Sequence, residues 1–282
     1  VYKRQKLGTA VVQLSGRTPT SCAMHAMTLD YLSNGRFMLG LGVSGPQVVE
    51  GWYGRPFPKP LARTREYIDI IRQVFAREAP VTNDGPHYPL PYPGDDGMGL
   101  GKPLKPIVHP LRNRFPIYIG AEGPKNIAQT VELADGWLPL FYNPHDESVY
   151  EQSLKNMRPD FEIAQMVTVN ITDDIDAALL NVKRFMSFYI GGMGAKSTNF
   201  HKDLFVRMGY EEEADRIQQL FMEGKRDEAA QVLPDEVADN MSLVGPRDRI
   251  KDRLQAWRDS RVTTMLVATT DKETLREISE LF

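Results

Sequence analysis

Apolar positions along this chain alternate between short continuous runs and stripes at helical spacing, and the order of the two predicts a repeating β/α architecture. The first run, 7–13, reads as a strand. Arg17-Thr18-Pro19 then supplies an N-cap and a first-turn proline for a helix to about residue 32, with Ala23, Met27 and Tyr31 on one face and Asn34-Gly35 ending it. Residues 37–42 predict the next strand. Tyr67, Ile70, Ile71, Val74 and Phe75 form the apolar stripe of a helix over about 62–76. A strand at 116–121 leads into a helix from 124 to about 134, and 136–141 and 161–171 read as further strands. Asp173 or Asp174 caps the following helix, in which Ile175, Leu179, Val182, Met186 and Tyr189 recur at helical spacing. Charged helical segments fill about 202–240, Gly245-Pro246 starts a helix ending near Trp257, and 262–269 is a last strand before a closing helix. Roughly six strands in one series with helices between them is the pattern of parallel strands joined by crossover helices.

Two strand ends stand out. Phe37-Met38-Leu39-Gly40-Leu41-Gly42 runs into Val43-Ser44-Gly45-Pro46, and Pro116-Ile117-Tyr118-Ile119 runs into Gly120-Ala121-Glu122-Gly123-Pro124. Glycine leaves backbone amides open to a ligand, and in the second case Gly123 suits the N-cap and Pro124 the first turn, so the helix start offers donors to an anion such as phosphate. Two such ends suggest one shared site. The nearby carboxylate of Glu122 must then turn away from that anion. The proline- and glycine-dense stretch 78–114 interrupts the rhythm and reads as an insertion, with a small hairpin near 82–88 and a loop able to cover ligand.

These segments together resemble the luciferase-like monooxygenase superfamily. The residues that carry the likeness are Leu7-Gly8-Thr9-Ala10-Val11-Val12, Arg17-Thr18-Pro19, Leu32-Ser33-Asn34-Gly35-Arg36-Phe37, Gly40-Leu41-Gly42, Gly120-Ala121-Glu122-Gly123-Pro124 and Ala134-Asp135-Gly136-Trp137. Within the superfamily the chain is most similar to the oxidoreductases that use the deazaflavin coenzyme F420, with FMN-dependent monooxygenases as the alternative. The resemblance implies a (β/α)8 TIM barrel and an enzyme exchanging a hydride between deazaflavin and a small organic substrate. It also implies a homodimer, and a non-prolyl cis peptide at Ala10-Val11 backing the coenzyme ring. Gly42, Val43, Ser44 and Gly45, with Gly120, Ala121, Glu122 and Gly123, become the remaining coenzyme contacts. Set against that pattern, the chain enters on the family's third strand. One expectation is therefore a single partial barrel domain over 1–282, with helical insertion at about 202–240. On that expectation the first two β/α units are missing, 1–5 is not native sequence, and open strand edges weaken coenzyme binding; a non-catalytic flavin-binding fragment is then a further alternative.

Composition narrows the function classes. With 34 basic against 37 acidic residues among 282, no excess of positive charge marks a nucleic-acid or anionic-membrane surface. No apolar run approaches the roughly 20 residues that span a bilayer, and no signal-peptide pattern is visible, so the reading is a cytoplasmic protein acting on a small molecule. The single cysteine, Cys22, has neither a disulfide partner nor a metal-ligand companion and reads as a packing residue. No metal-type cluster is present. For proton handling the candidates are Glu50, Glu122, His87, His109 and His201, with Glu122 and His201 the two retained, although no spacing joins them. Trp52, Tyr53 and Trp137 read as packing, with a pocket wall as the alternative for Trp137. Gly191-Gly192-Met193-Gly194 reads either as an adaptable substrate loop or as a helix end.

Overall fold

The structure is a computed structural model that describes residues 5–112, 114–195 and 197–281, so most of the 1–5 segment lies outside the described residues. The chain forms two compact units. One holds the residues up to Gly120 together with Gln129–Gly136, and the other holds Ala121–Ala128 together with the residues from Trp137 on.

In the first unit β1 (Leu7–Gly8) and β2 (Val12–Gln13) both pair in parallel with β3 (Phe37–Gly42), which pairs in parallel with β4 (Ile117–Gly120). The single strand expected over 7–13 is thus two pieces. The reason is a one-residue slip in register: Leu7 lies opposite Phe37, but Val12 lies opposite Leu41. The surplus residue sits in a bulge at 9–11, where the Ala10-Val11 peptide is cis, as the resemblance implied. Within the bulge the Thr9 hydroxyl takes over the ladder, donating to Gly40 O at 2.9 Å and accepting from Gly40 N at 3.0 Å.

Helix α1 (Pro19–Leu32) starts as read, with Thr18 Oγ1 accepting from Ser21 N. Its buried face holds Cys22, Ala23, Ala26, Met27 and Asp30; Tyr31, expected in the stripe, is exposed and donates its hydroxyl to His109 O. Asp30 is accommodated in the core because Arg112 donates to both its oxygens, at 2.5 and 3.0 Å. The short α2 (Pro46–Gly51), not anticipated from sequence, buries only Val49 and so leaves no periodic trace. In α3 (Pro60–Ala76) all five residues of the expected stripe are buried. Along 78–114 the antiparallel bridges are Val81 to Leu104 and Asn83 to Leu90. Glu66 of α3 anchors the second by accepting from Asn83 Nδ2 and from the N–H groups of His87 and Tyr88.

The chain passes between the units after Gly120, again within α4 (Pro124–Leu133) and a third time within β5 (Gly136–Leu138). β5 stops short of the expected 141 because Pro139 has no N–H to extend a ladder. In the second unit β6 (Glu162–Ile171) pairs in parallel with β7 (Ser242–Gly245) and with β8 (Thr264–Ala268). β7 is four buried residues, too short for a period, and was not anticipated; with it and the divided first strand, the described residues hold eight strands rather than about six. The helices of this unit are α5 (Glu151–Leu154), α6 (Ile175–Gly192), α7 (Phe200–Arg207), α8 (Glu211–Met222), α9 (Arg226–Val232), α10 (Asp235–Asn240), α11 (Arg247–Asp259) and α12 (Lys272–Leu281). Gly191 and Gly192 belong to α6 rather than to a substrate loop. A β-carbon on either would stand 2.5 Å from Phe221 of α8, so their absence of side chains lets the two helices approach. Among the described residues no helix is long and apolar enough to cross a membrane.

Candidate functional site

In the second unit, Ala121, Glu122 and Gly123 lead into α4, and each is fixed by a different contact. Trp137 Nε1 donates to Ala121 O at 2.8 Å, Arg207 Nη2 donates to Glu122 O at 2.8 Å, and Gly123 O accepts from the N–H groups of Asn126 and Ile127. Gly123 therefore opens the helix as the sequence suggested. A β-carbon there would meet nothing within 4 Å, so open space lies beside this residue at the start of the helix.

The Glu122 side chain turns the other way. Its Oε1 accepts from Leu140 N at 3.1 Å and lies 4.0 Å from His201 Nδ1, so two candidates with no sequence spacing to link them meet here. His201 is delivered by the start of α7. Asn199 caps that helix, its Oδ1 accepting from His201 N and Lys202 N, while its Nδ2 donates to Ile190 O and Tyr189 O at the end of α6. One side chain thereby ties two helices and places the histidine in the first turn. The imidazole packs edge-on against Tyr189, with centroids 4.9 Å apart, and Phe141, at 6.3 Å. Trp137, which had a pocket wall as an alternative, is buried against Tyr142 and Tyr150 and is a packing residue.

These surroundings decide the protonation states. Burial pushes the Glu122 carboxyl up to about 8, against the opposing pull of Leu140 N–H and Arg207. Burial also pushes His201 down to about 4. At neutral pH the site therefore holds an uncharged carboxylic acid facing an uncharged imidazole.

In the first unit, Gly42 ends β3 against the bulge. A β-carbon on it would lie 2.6 Å from Val11 Cγ2, so this glycine is what lets the two strands close. Val43 leads to Ser44, whose φ of 62° turns the chain, and Gly45 O then accepts from Val48 N and Val49 N at the start of α2. Val11, joined to Ala10 by the cis peptide, thus meets Gly42, and Gly120 ends β4 in the same unit. The other proton candidates are placed differently. Glu50 accepts from Phe57 N, His87 Nε2 lies 4.0 Å from Glu66, and His109 offers its backbone carbonyl to Tyr31. Sequence reasoning missed Asn199, Arg207 and Leu140. Only Asn199 left a signal, an N-cap residue two positions before a histidine.

A family model described as luciferase-like monooxygenase matches residues 3–264. The chain is 54% identical, over 99% of its length and 83% of the relative's, to a Mycobacterium tuberculosis protein that bears the name coenzyme F420-dependent oxidoreductase Rv3520c. It is 27% identical to the 5,10-methylenetetrahydromethanopterin reductase of Archaeoglobus fulgidus, over 94% of this chain and 76% of that one. Among solved structures, the coenzyme F420 dependent tetrahydromethanopterin reductase from Methanopyrus kandleri shares the fold, with a TM-score of 0.70 at 23% identity over 98% of this chain and 80% of that one.

Proposed function

The chain belongs to the luciferase-like monooxygenase family, and from that footing we propose that it is a coenzyme F420-dependent oxidoreductase on a luciferase-like (β/α)8 barrel. Its reaction exchanges a hydride between the deazaflavin and a small organic substrate. The observation that carries the reading is the 54% identity, along nearly the whole chain, to a relative named for that coenzyme. The residues present fit such a ligand. Open space at Gly123, at the N-terminal, positive end of the α4 dipole, suits the phosphodiester of the coenzyme tail, and the neutral Glu122 carboxyl adds no charge against it. Gly120 and Ala121 belong to the same assignment, while Ala10, Val11, Gly42, Val43, Ser44 and Gly45 are assigned to the ring. When bound, the coenzyme supplies or accepts the hydride; the protein orients it, excludes water and moves the accompanying proton. Glu122 and His201 are the side chains assigned to that proton. We further take the enzyme to be a cytoplasmic homodimer, which light scattering on the purified protein tests.

Titration of the protein with F420 and, separately, with FMN decides the cofactor. F420 is expected to bind, with FMN far weaker; the reverse order would replace the reading by an FMN-dependent monooxygenase. Gly123→Val fills the open space and is expected to weaken F420 binding about tenfold or more, a loss of at least ~1.4 kcal/mol, with an unchanged circular dichroism spectrum. A folded variant with wild-type affinity would remove Gly123 from the site.

A further inference from the structure

We propose that Glu122 and His201 form a two-member proton relay, in which His201 Nε2 exchanges a proton with the substrate oxygen and Glu122 resupplies or receives it through Nδ1. The relay rests on the oxidoreductase reading and assigns each of its two side chains a distinct role.

Four observations converge on it. The two groups are 4.0 Å apart at their nearest atoms, a separation that a small carboxyl rotation closes, and catalytic hydrogen bonds commonly tighten only when ligand is bound. His201 Nδ1 is buried and has no hydrogen-bond partner, although buried nitrogens normally do. The histidine side chain as a whole is still 20% exposed, so the edge away from Glu122 is the one open to a reactant. Finally, among the described residues no cation pairs with the carboxylate. Arg207 of α7 donates to the Glu122 backbone carbonyl instead, its charge acting on the carboxyl only through space, and the other titratable groups facing the pair are the phenols of Tyr150, before α5, and Tyr189, on α6. An acid without a counter-ion beside a base without a donor is a pair with one proton to pass.

The bookkeeping of the step closes. A hydride from the reduced coenzyme, which is thereby oxidised, adds to a carbonyl carbon, and the C–O π pair moves onto oxygen. That oxygen takes the Nε2 proton, the ring's electron pair on Nδ1 takes the carboxyl proton, and Glu122 is left as a carboxylate; a solvent proton on Nε2 and return of the Nδ1 proton to Glu122 then restore the starting pair. One hydride and one proton convert C=O to CH–OH, and the reverse sequence oxidises the alcohol.

The first test uses the protein without coenzyme. Nitrogen NMR on histidine-labelled protein is expected to show His201 as the Nε2–H tautomer at pH 7, with a step near pH 8 as Glu122 ionises and Nδ1 loses its donor. Glu122→Gln is expected to abolish that step. With coenzyme present, the same variant is expected to lose about 10²-fold in turnover while its F420 affinity stays within about twofold. A His201 tautomer and titration indifferent to Glu122→Gln, or full turnover in that variant, would overturn the relay. If Glu122→Gln does not fold, carboxyl-carbon NMR of the wild type decides: a Glu122 titration step shared with His201 supports the relay, and independent steps overturn it. Failure of F420 to bind the wild type would instead remove the cofactor assignment, and the coenzyme-free spectra would still judge the coupling.

Discussion

A β-carbon at Gly42 would stand 2.6 Å from Cγ2 of Val11, closer than carbons approach, so only one member of this pair can be large. Gly42→Ala is expected to cost about 1–3 kcal/mol by overpacking, read as a shift in urea midpoint. Val11→Ala in the same chain is expected to recover part of that loss, and strictly additive losses would show that the two do not collide. The glycine was legible as a strand end, but its neighbour was not, because the bulge that brings Val11 Cγ2 against it, while Gln13 is its register partner, is a property of pairing and not of local pattern. Glu122 makes the same point for charge. Its folded state favours the protonated acid, so its contribution to stability is whole below the ordinary carboxylate range and is lost as pH rises toward about 8. His201 has the opposite sense: held neutral, it contributes above the ordinary imidazole value and loses that contribution as pH falls toward about 4. Stability from urea unfolding is therefore expected to be nearly flat from pH 5 to the ordinary imidazole value, where the two opposite slopes cancel, and to fall from there to about pH 8 with a limiting slope of ~1.4 kcal/mol per pH unit. Glu122→Gln is expected to flatten this limb, and parallel curves would show that the carboxyl ionises normally. Both residues were legible as titratable candidates; their burial and meeting were not.

The elements that sequence predicted best are those long enough to repeat. α1, α3 and α6 each present several turns of apolar spacing, whereas α2 and β7 are shorter than the pattern that would reveal them and are fixed by what they pack against. The glycines at the end of α6 were legible as a helix end but not in what they pack against. Gly191 and Gly192 read as a substrate loop or as a helix end, and they are the end of α6, where their missing side chains accommodate the ring of Phe221 on α8. Asn199 is the hinge pin of this corner, serving two N–H groups of α7 and two carbonyls of α6. Asn199→Ala is expected to cost about 1–2 kcal/mol as a lost cap and also to loosen His201, visible as a broadened or shifted imidazole resonance. Lost stability with an unmoved resonance would mean that Asn199 caps the helix without positioning the histidine.

At the scale of the whole molecule, the alternation of strands and helices and the parallel pairing were legible, because connection order follows from the chain itself. The division into two units was not, since it depends on contacts between residues far apart in sequence. Each unit carries its own response to acid. In the first, burial alone would raise Asp135, but Arg72, Ile117 N–H and Arg114 together hold its carboxyl below the ordinary range, so its contribution is present at neutral pH and lost as pH falls. Asp135→Asn is expected to cost about 1–3 kcal/mol at pH 7 and less as the pH drops below 4, by circular dichroism in urea; a penalty independent of pH would place its value in packing. The route of the backbone adds a last consequence. It leaves the first unit after Gly120, returns at Gln129 and departs again after Gly136, so no single cut separates the two units cleanly. A gene fragment ending at Gly136 would carry the first unit together with Ala121–Ala128 of the second, and one beginning at Ala121 would carry the second together with Gln129–Gly136 of the first.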